Sequence, residues 1–263
     1  MKRIAMFRGL ASLLLTVCGT VQAADWGDLT AKFVLDGAAP APAALQITKD
    51  QEVCGKHNLV DESLVVNPTN KGIANVVVYL YLARGEKAPA VHDSYKEAAS
   101  KPVVLDNDKC RFAPHIVAVR TKQTLLVGNK DSVGHNTNVT TLRNPPQNVL
   151  IPANGELKMV FNQEESLPSP VACNIHPWMK GHLVIKEHPY VGVSDENGNV
   201  TIKNLPAGSW TFQVWQEAAG YVTEANQGGK PAKWERGRVK LTIKSGANDL
   251  GEIKLQPAIF QKK

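Results

Sequence analysis

Beyond its first two dozen residues, the chain lacks any apolar run long enough to cross a bilayer, so no membrane span is expected there. It has no Cys-x-x-Cys-His site, which leaves nothing to attach a covalent haem. No Ser/His/Asp series, motif of paired carboxylates or phosphate-cradling glycine loop stands out, so no independent enzyme activity is indicated. Charge of one sign is also scarce. The formal +6 of the 263 residues falls to +3 once Lys2, Arg3 and Arg8 are set aside, and a nucleic-acid partner has no support.

Those three basic residues open a stretch whose positions 10–17 are apolar and whose Val21-Gln22-Ala23 fits a small-residue cleavage site. Residues 1–23 therefore read as a secretory signal, with the mature protein starting at Ala24 and exported to the periplasm as a soluble chain. The rival reading makes Cys18 a lipid-bearing residue, but branched Val17 stands where a small side chain is wanted. Oligomeric state is not legible.

Cysteine is scarce too, with four in all. Cys18 leaves with the signal, and Cys54, Cys110 and Cys173 remain. An odd number in an exported protein asks for one thiol with a separate role. Cys173 has a candidate role in the run Val171-Ala172-Cys173-Asn174-Ile175-His176-Pro177-Trp178-Met179-Lys180-Gly181, which sets a thiolate, an imidazole and a thioether three residues apart. Soft sulfur donors hold Cu(I) and nitrogen donors hold Cu(II), so this is most of a ligand set for one cycling copper ion. A second imidazole is available upstream at His135, in Gly134-His135-Asn136. A dinuclear centre needs a second bridging cysteine on the loop, and the loop has none.

The two motifs, in this order, resemble the cupredoxin family of blue copper proteins, and the loop spacing is most similar to its amicyanin branch. The resemblance spans residues 102–187, including strands at 103–105, 116–119 and 124–127 with Phe112 and Pro114 between them. It implies one mononuclear type 1 copper site with His135, Cys173 and His176 as strong ligands and Met179 as the long axial donor. It further implies that Asn136 ties the two ligand loops together and that a backbone N–H donates to the Cys173 sulfur. In this family the His176 edge reaches the surface within an apolar patch, here at Pro177 and Trp178, suited to transient redox protein partners; a capping role in the core is the other reading of Trp178. If Cys173 is the copper thiolate, Cys54 and Cys110 are left to form a disulfide. The rival makes Cys54 and His57 part of a second metal site with Cys110 or His115.

Elsewhere the pattern is β. Strand-like runs recur at 29–35, 75–82, 157–161, 182–185, 200–202, 209–215, 239–243 and 250–255, and one short helix is expected at 93–100, where Pro102 blocks continuation. Asn197-Gly198 predicts a hairpin turn. The flanks resemble a carboxypeptidase regulatory-like, or transthyretin-like, β-sandwich. The fold class expected is all-β, a cupredoxin Greek-key sandwich plus a transthyretin-like sandwich. The copper domain (102–187) is expected as an insert between two halves of the other (24–101 and 188–258), with 259–263 a tail; a tandem arrangement is the alternative. Pro168 and Pro170 cannot donate to a ladder, so the strand before Cys173 is expected to be short or at an edge. His57, His92, His115, His182 and His188 read as surface or loop residues, and Met159 as core. Three functions compete: single-electron transfer; copper binding or delivery with an interaction module; and an oxidase or reductase, which needs a second, catalytic metal centre to which only Cys54, His57 and His115 could contribute.

Overall fold

The computed structural model describes residues 25–83 and 85–261. The signal expected at 1–23, with Cys18, lies outside the described residues. Those described carry the strands β1 (Trp26–Leu35), β2 (Val77–Leu80), β3 (Val103–Asp108), β4 (Arg111–Ala113), β5 (Ile116–Arg120), β6 (Thr124–Asn129) and β7 (His135–Val139). There follow β8 (Gln147–Ile151), β9 (Glu156–Val160), β10 (Ser169–Ala172), β11 (Lys180–Lys186), β12 (Val191–Val193) and β13 (Asn199–Pro206). The last are β14 (Gly208–Gln216), β15 (Gly220–Tyr221), β16 (Glu224–Gln227), β17 (Lys230–Lys233), β18 (Arg238–Ile243) and β19 (Gly246–Leu255). Helices are short, α1 at Gln51–Cys54 and α2 at Ser94–Ser100. The chain is all-β.

Four sheets form two sandwiches. One pairs the sheet β13-β1-β19-β16-β17 with the sheet β12-β2-β14-β15, to which β18 adds through β14. Its core holds Leu29, Phe33, Val78, Tyr190, Phe212 and Ile253. The other pairs β5-β11-β10-β7-β8 with β4-β3-β6-β9 around Leu105, Phe112, Leu125, Val139, Met159 and Leu183. Strand β2 lies beside β14 in antiparallel register, Val78 opposite Val214, and β1 lies between β13 and β19.

The sandwiches meet through a third cluster, Val77, Tyr79, Ile116, Val184 and Trp215. Strand β11 shows why. Leu183 and Ile185 point into the second core while Val184 points into the junction, so alternate residues are buried on opposite faces. A strand covered on both sides reads as a continuous apolar run, as Leu183-Val184-Ile185 does.

The strand expected to be short or at an edge is β10, which is short and lies inside its sheet, between β11 and β7; other expectations change. The Pro170 carbonyl still accepts the Thr140 N–H at 2.9 Å, and with no N–H to return the β7 pairing stops there, at Val171 and Ala172. Asn197-Gly198 does form a turn, but not a hairpin: β12 pairs with β2 and β13 with β1, in different sheets. Gly198 has φ +81°, and a Cβ there would meet the Phe33 carbonyl oxygen, so the turn packs on β1 and steers the chain from one sheet to the next. Residues at the C-terminus expected as a tail make a 3-10 turn, Pro257–Gln261, with Ile259 in the first core. Of three histidines expected as surface or loop residues, His115 and His188 do lie in connections and His182 lies in β11, but all three are mostly or fully enclosed.

Candidate metal centre

Two loops of the second sandwich supply the donors. His135 opens β7, after the turn that Asn129 builds by donating its side-chain amide to the carbonyls of Val133, Ile151 and Pro152. Cys173, His176 and Met179 lie on the connection from β10 to β11. That connection is closed by its own backbone: Cys173 N–H donates to the Met179 carbonyl at 3.2 Å, and Met179 N–H to the His176 carbonyl at 2.9 Å. His135, Cys173, His176 and Met179 are all buried, with at most 1% exposure, at the end of the apolar core.

Donor atoms of His135, Cys173 and His176 lie within 4.8 Å of one another. The imidazoles are aimed by their far nitrogens. His135 Nε2 is 2.9 Å from Asp131 Oδ2, and His176 Nε2 is 2.7 Å from Asp50 Oδ2. With each Nε2–H given to a carboxylate, each Nδ1 is left to face the interior, where it offers a lone pair once the ring is neutral. His176 Nδ1 stands 3.8 Å from Cys173 Sγ, and His135 Nδ1 is buried with no hydrogen-bond partner. A buried polar atom left alone costs about 1–3 kcal/mol, and an ion held among the three side chains removes that cost.

Asn136 stitches the loops. Its side-chain oxygen accepts the N–H groups of Asn174 at 2.7 Å and Ile175 at 3.2 Å and lies 3.3 Å from Cys173 Sγ, while its amide donates to Asn148. The His176 N–H points at the Cys173 sulfur from 3.4 Å. Burial pushes the Cys173 thiol up, but the His135 imidazole and these backbone N–H groups outweigh it and hold it below the ordinary thiol range. Burial likewise pushes His135 down, yet Asp131 and the Cys173 sulfur lift it to about 9. For His176 burial wins over Asp50, and the imidazole stays below its ordinary value.

Cys54 and Cys110 are joined in a disulfide, so neither sulfur is a donor and the second metal site built on Cys54 and His57 is ruled out. The disulfide serves the first site. Cys54 closes α1, which starts directly after Asp50, and the Cys110 N–H donates to Asp131 at 2.8 Å. The exposed His176 edge implied by the resemblance is absent, because Asp50 and its segment cover Nε2. Pro177 is exposed beside it; Trp178 is half-buried against the core and donates its indole N–H to the Cys110 carbonyl. Sequence reasoning missed Asp50 and Asp131. Asp131 stands four residues before His135 and carried a local signal, whereas Asp50 is 126 residues from its partner and carried none.

No protein-family model matches the chain, and no curated protein matches it. Among solved structures, an oxidised amicyanin variant shares 18% identity over 34% of this chain and 83% of its own, with a TM-score of 0.29. A purple cupredoxin from Nitrosopumilus maritimus shares 19% over 31% of this chain and 97% of its own, TM-score 0.27. A copper-containing nitrite reductase from Thermus scotoductus shares 20% over 40% of this chain and 24% of its own, TM-score 0.30.

Proposed function

We propose that the protein is an exported, periplasmic type 1 copper protein that carries single electrons between transient redox protein partners and is not itself an enzyme. One observation carries the reading: two buried imidazoles, each tied by Nε2 to a carboxylate, place a donor atom within 4.8 Å of one cysteine sulfur. His135, Cys173 and His176 hold the ion, and Met179 supplies the weak thioether. Copper, when bound, supplies one-electron cycling between its +1 and +2 states. The chain fixes the donors beforehand through Asn136 and the two aspartates, and the buried loop keeps water from the sulfur. Pro177 and Trp178 offer the partner-facing surface. The N-terminal signal pattern and the Cys54–Cys110 disulfide support export to an oxidising compartment.

In this reading the cupredoxin-like segment 102–187 is inserted into a transthyretin-like host of 24–101 and 188–258. Its support is the pairing of β2 with β14 and of β1 with β13 and β19, which joins segments from before and after the copper segment. A second reading, copper binding and delivery, is favoured by the cover of Asp50 over His176, which closes the edge an electron partner would meet.

Optical spectroscopy after copper addition separates the two. Electron transfer calls for an intense absorption near the red end of the visible range that disappears on mild reduction and returns on reoxidation; delivery calls for tight Cu(I) binding without that colour. Cys173→Ser must abolish the band. Retention of the colour in that variant overturns the ligand assignment.

A further inference from the structure

A second group of metal-ligating side chains lies where the two sandwiches meet. His182 is on β11, beside Val184 and away from the core that Leu183 enters. His115 directly precedes β5, which runs parallel to β11 with Ile116 opposite His182, and the His182 N–H donates to the His115 carbonyl at 2.9 Å. Glu217 directly follows β14 of the other sandwich. Each of the three offers a donor atom within 4.8 Å of the other two.

The distances are those of an unfinished coordination sphere. His115 Nε2 is 2.5 Å from Glu217 Oε2, and His182 Nδ1 is 3.8 Å from the same oxygen, too far for a hydrogen bond. Ligands about 2.0–2.1 Å from a tetrahedral ion stand roughly 3.3 Å apart, so small side-chain shifts bring both nitrogens and the carboxylate onto one ion. The Nδ1 atoms of His115 and His182 are both buried and have no hydrogen-bond partner, and His115 is only 8% exposed. Glu62 Oε2 stands 3.9 Å from His115 Nδ1. Burial keeps His182 below the ordinary imidazole range. Burial pushes Glu217 up, but the His115 bond and the two imidazoles outweigh it and hold it below the ordinary carboxylate range. His115, Glu62 and Glu217 border a cavity of about 630 Å³, which gives an entry path and room for a water ligand.

We propose that His115, His182 and Glu217, with Glu62 at the cavity side, form a second site for a divalent ion of the zinc or copper(II) class. Two imidazoles and a carboxylate without sulfur suit such borderline ions; calcium and magnesium call for oxygen ligands alone. The site shares no residue with the His135, Cys173 and His176 group and does not rest on the copper reading, although Pro177, Trp178 and Met179 line the same cavity. It ties β11 of one sandwich to the end of β14 of the other. The competing account is a plain His115–Glu217 ion pair that locks the junction without metal.

Elemental analysis and zinc titration against a chromophoric chelator decide. In the Cys173→Ser background, one zinc ion is expected per chain, and His182→Ala in that background weakens it beyond the about 10- to 100-fold that loss of an outer partner alone costs. Glu217→Gln, close in size, must do the same if His182→Ala disturbs folding. Cobalt(II) in the Cys173→Ser protein is expected to give visible bands that vanish with either change. Zinc binding unaffected by both substitutions, or none in Cys173→Ser, overturns the site. The two sites fail separately: if only the first is wrong, wild-type protein holds one ion that depends on His182, and if only the second is wrong, one that depends on Cys173.

Discussion

The Nε2 of His176 lies 2.7 Å from the Oδ2 of Asp50, across 126 positions of sequence. Asp50 holds a left-handed backbone, φ 50° and ψ 42°, at the head of α1, and Cys54 at the end of that helix is bonded to Cys110. Cys110 in turn donates its N–H to Asp131, the carboxylate on His135. One disulfide therefore anchors the carboxylate partners of both imidazoles. An unfavourable conformation at a non-glycine residue persists when its surroundings hold it in place, and here the surroundings are the disulfide and the His176 bond.

Asp50→Ala removes the acceptor on His176 without touching a proposed ligand. Copper(II) affinity is expected to fall about 10- to 100-fold while the colour persists, because loss of an outer partner of a metal-binding histidine has that size of effect. Asp50→Asn keeps an acceptor and loses the charge, so its effect should be intermediate. Competition titration with a chelator reads both, and affinities equal to wild type would show Asp50 to be a passive cover.

Metal affinity should also depend on pH through His135. In the metal-free protein its imidazole titrates at about 9, above its ordinary 6.5, so near neutral pH the ring carries a proton that an arriving ion must displace. Affinity is expected to climb about tenfold per pH unit up to about 9 from this group, then level. The same shift means that the His135 contribution to metal-free stability is complete below 6.5 and lost as pH rises to about 9. Calorimetry in buffers of different ionisation enthalpy counts the released protons.

His188 sets an acid limit with the opposite sign. It is 2% exposed, its Nε2 lies 3.0 Å from the Leu80 carbonyl, and burial, aided by the Lys186 charge, pushes it down to about 4. The unfolded chain takes up this proton below 6.5 and the folded chain only near 4, so stability is present above 6.5 and lost as pH falls through that window. A shift of this size corresponds to roughly 3 kcal/mol. Denaturant midpoints between pH 7 and 4 should fall less steeply in His188→Gln, and equal slopes would remove His188 from the acid transition.

What was legible in the sequence was what is local. Cys173 and His176 come together because a single short loop, which also carries Met179, holds them, and β1, β11 and β14 follow their apolar patterns to within a few residues. The Cys54–Cys110 disulfide followed once Cys173 had a role of its own. His182 was misplaced for a physical reason. It occupies an outward position of β11, which reads as solvent-facing unless something covers the sheet, and Trp215 of the other sandwich lies 4.9 Å from its ring. The cover on His176 was hidden because residues 45–60 have no strand or helix periodicity, and their position is fixed by the disulfide.

Breaking that disulfide should therefore act on the metal site and on stability together. The cysteines are 56 positions apart, and closing a loop of that length removes about 4 kcal/mol of unfolded-state freedom in the chain-entropy account. Cys54→Ala combined with Cys110→Ala is expected to lower unfolding stability by about that much. The freed segment should also withdraw Asp50 from His176, so copper(II) affinity in the paired alanine variant should fall at least to the level of Asp50→Ala. Adding Asp50→Ala to that variant should then change affinity little, since both remove the same contact and coupled residues are not additive. Chelator competition on the four proteins of the cycle measures the coupling. Two full and independent losses would mean that the segment keeps its place without the disulfide, by the Leu45 to Leu59 backbone bond and its apolar contacts through Ile47, Val53 and Leu59.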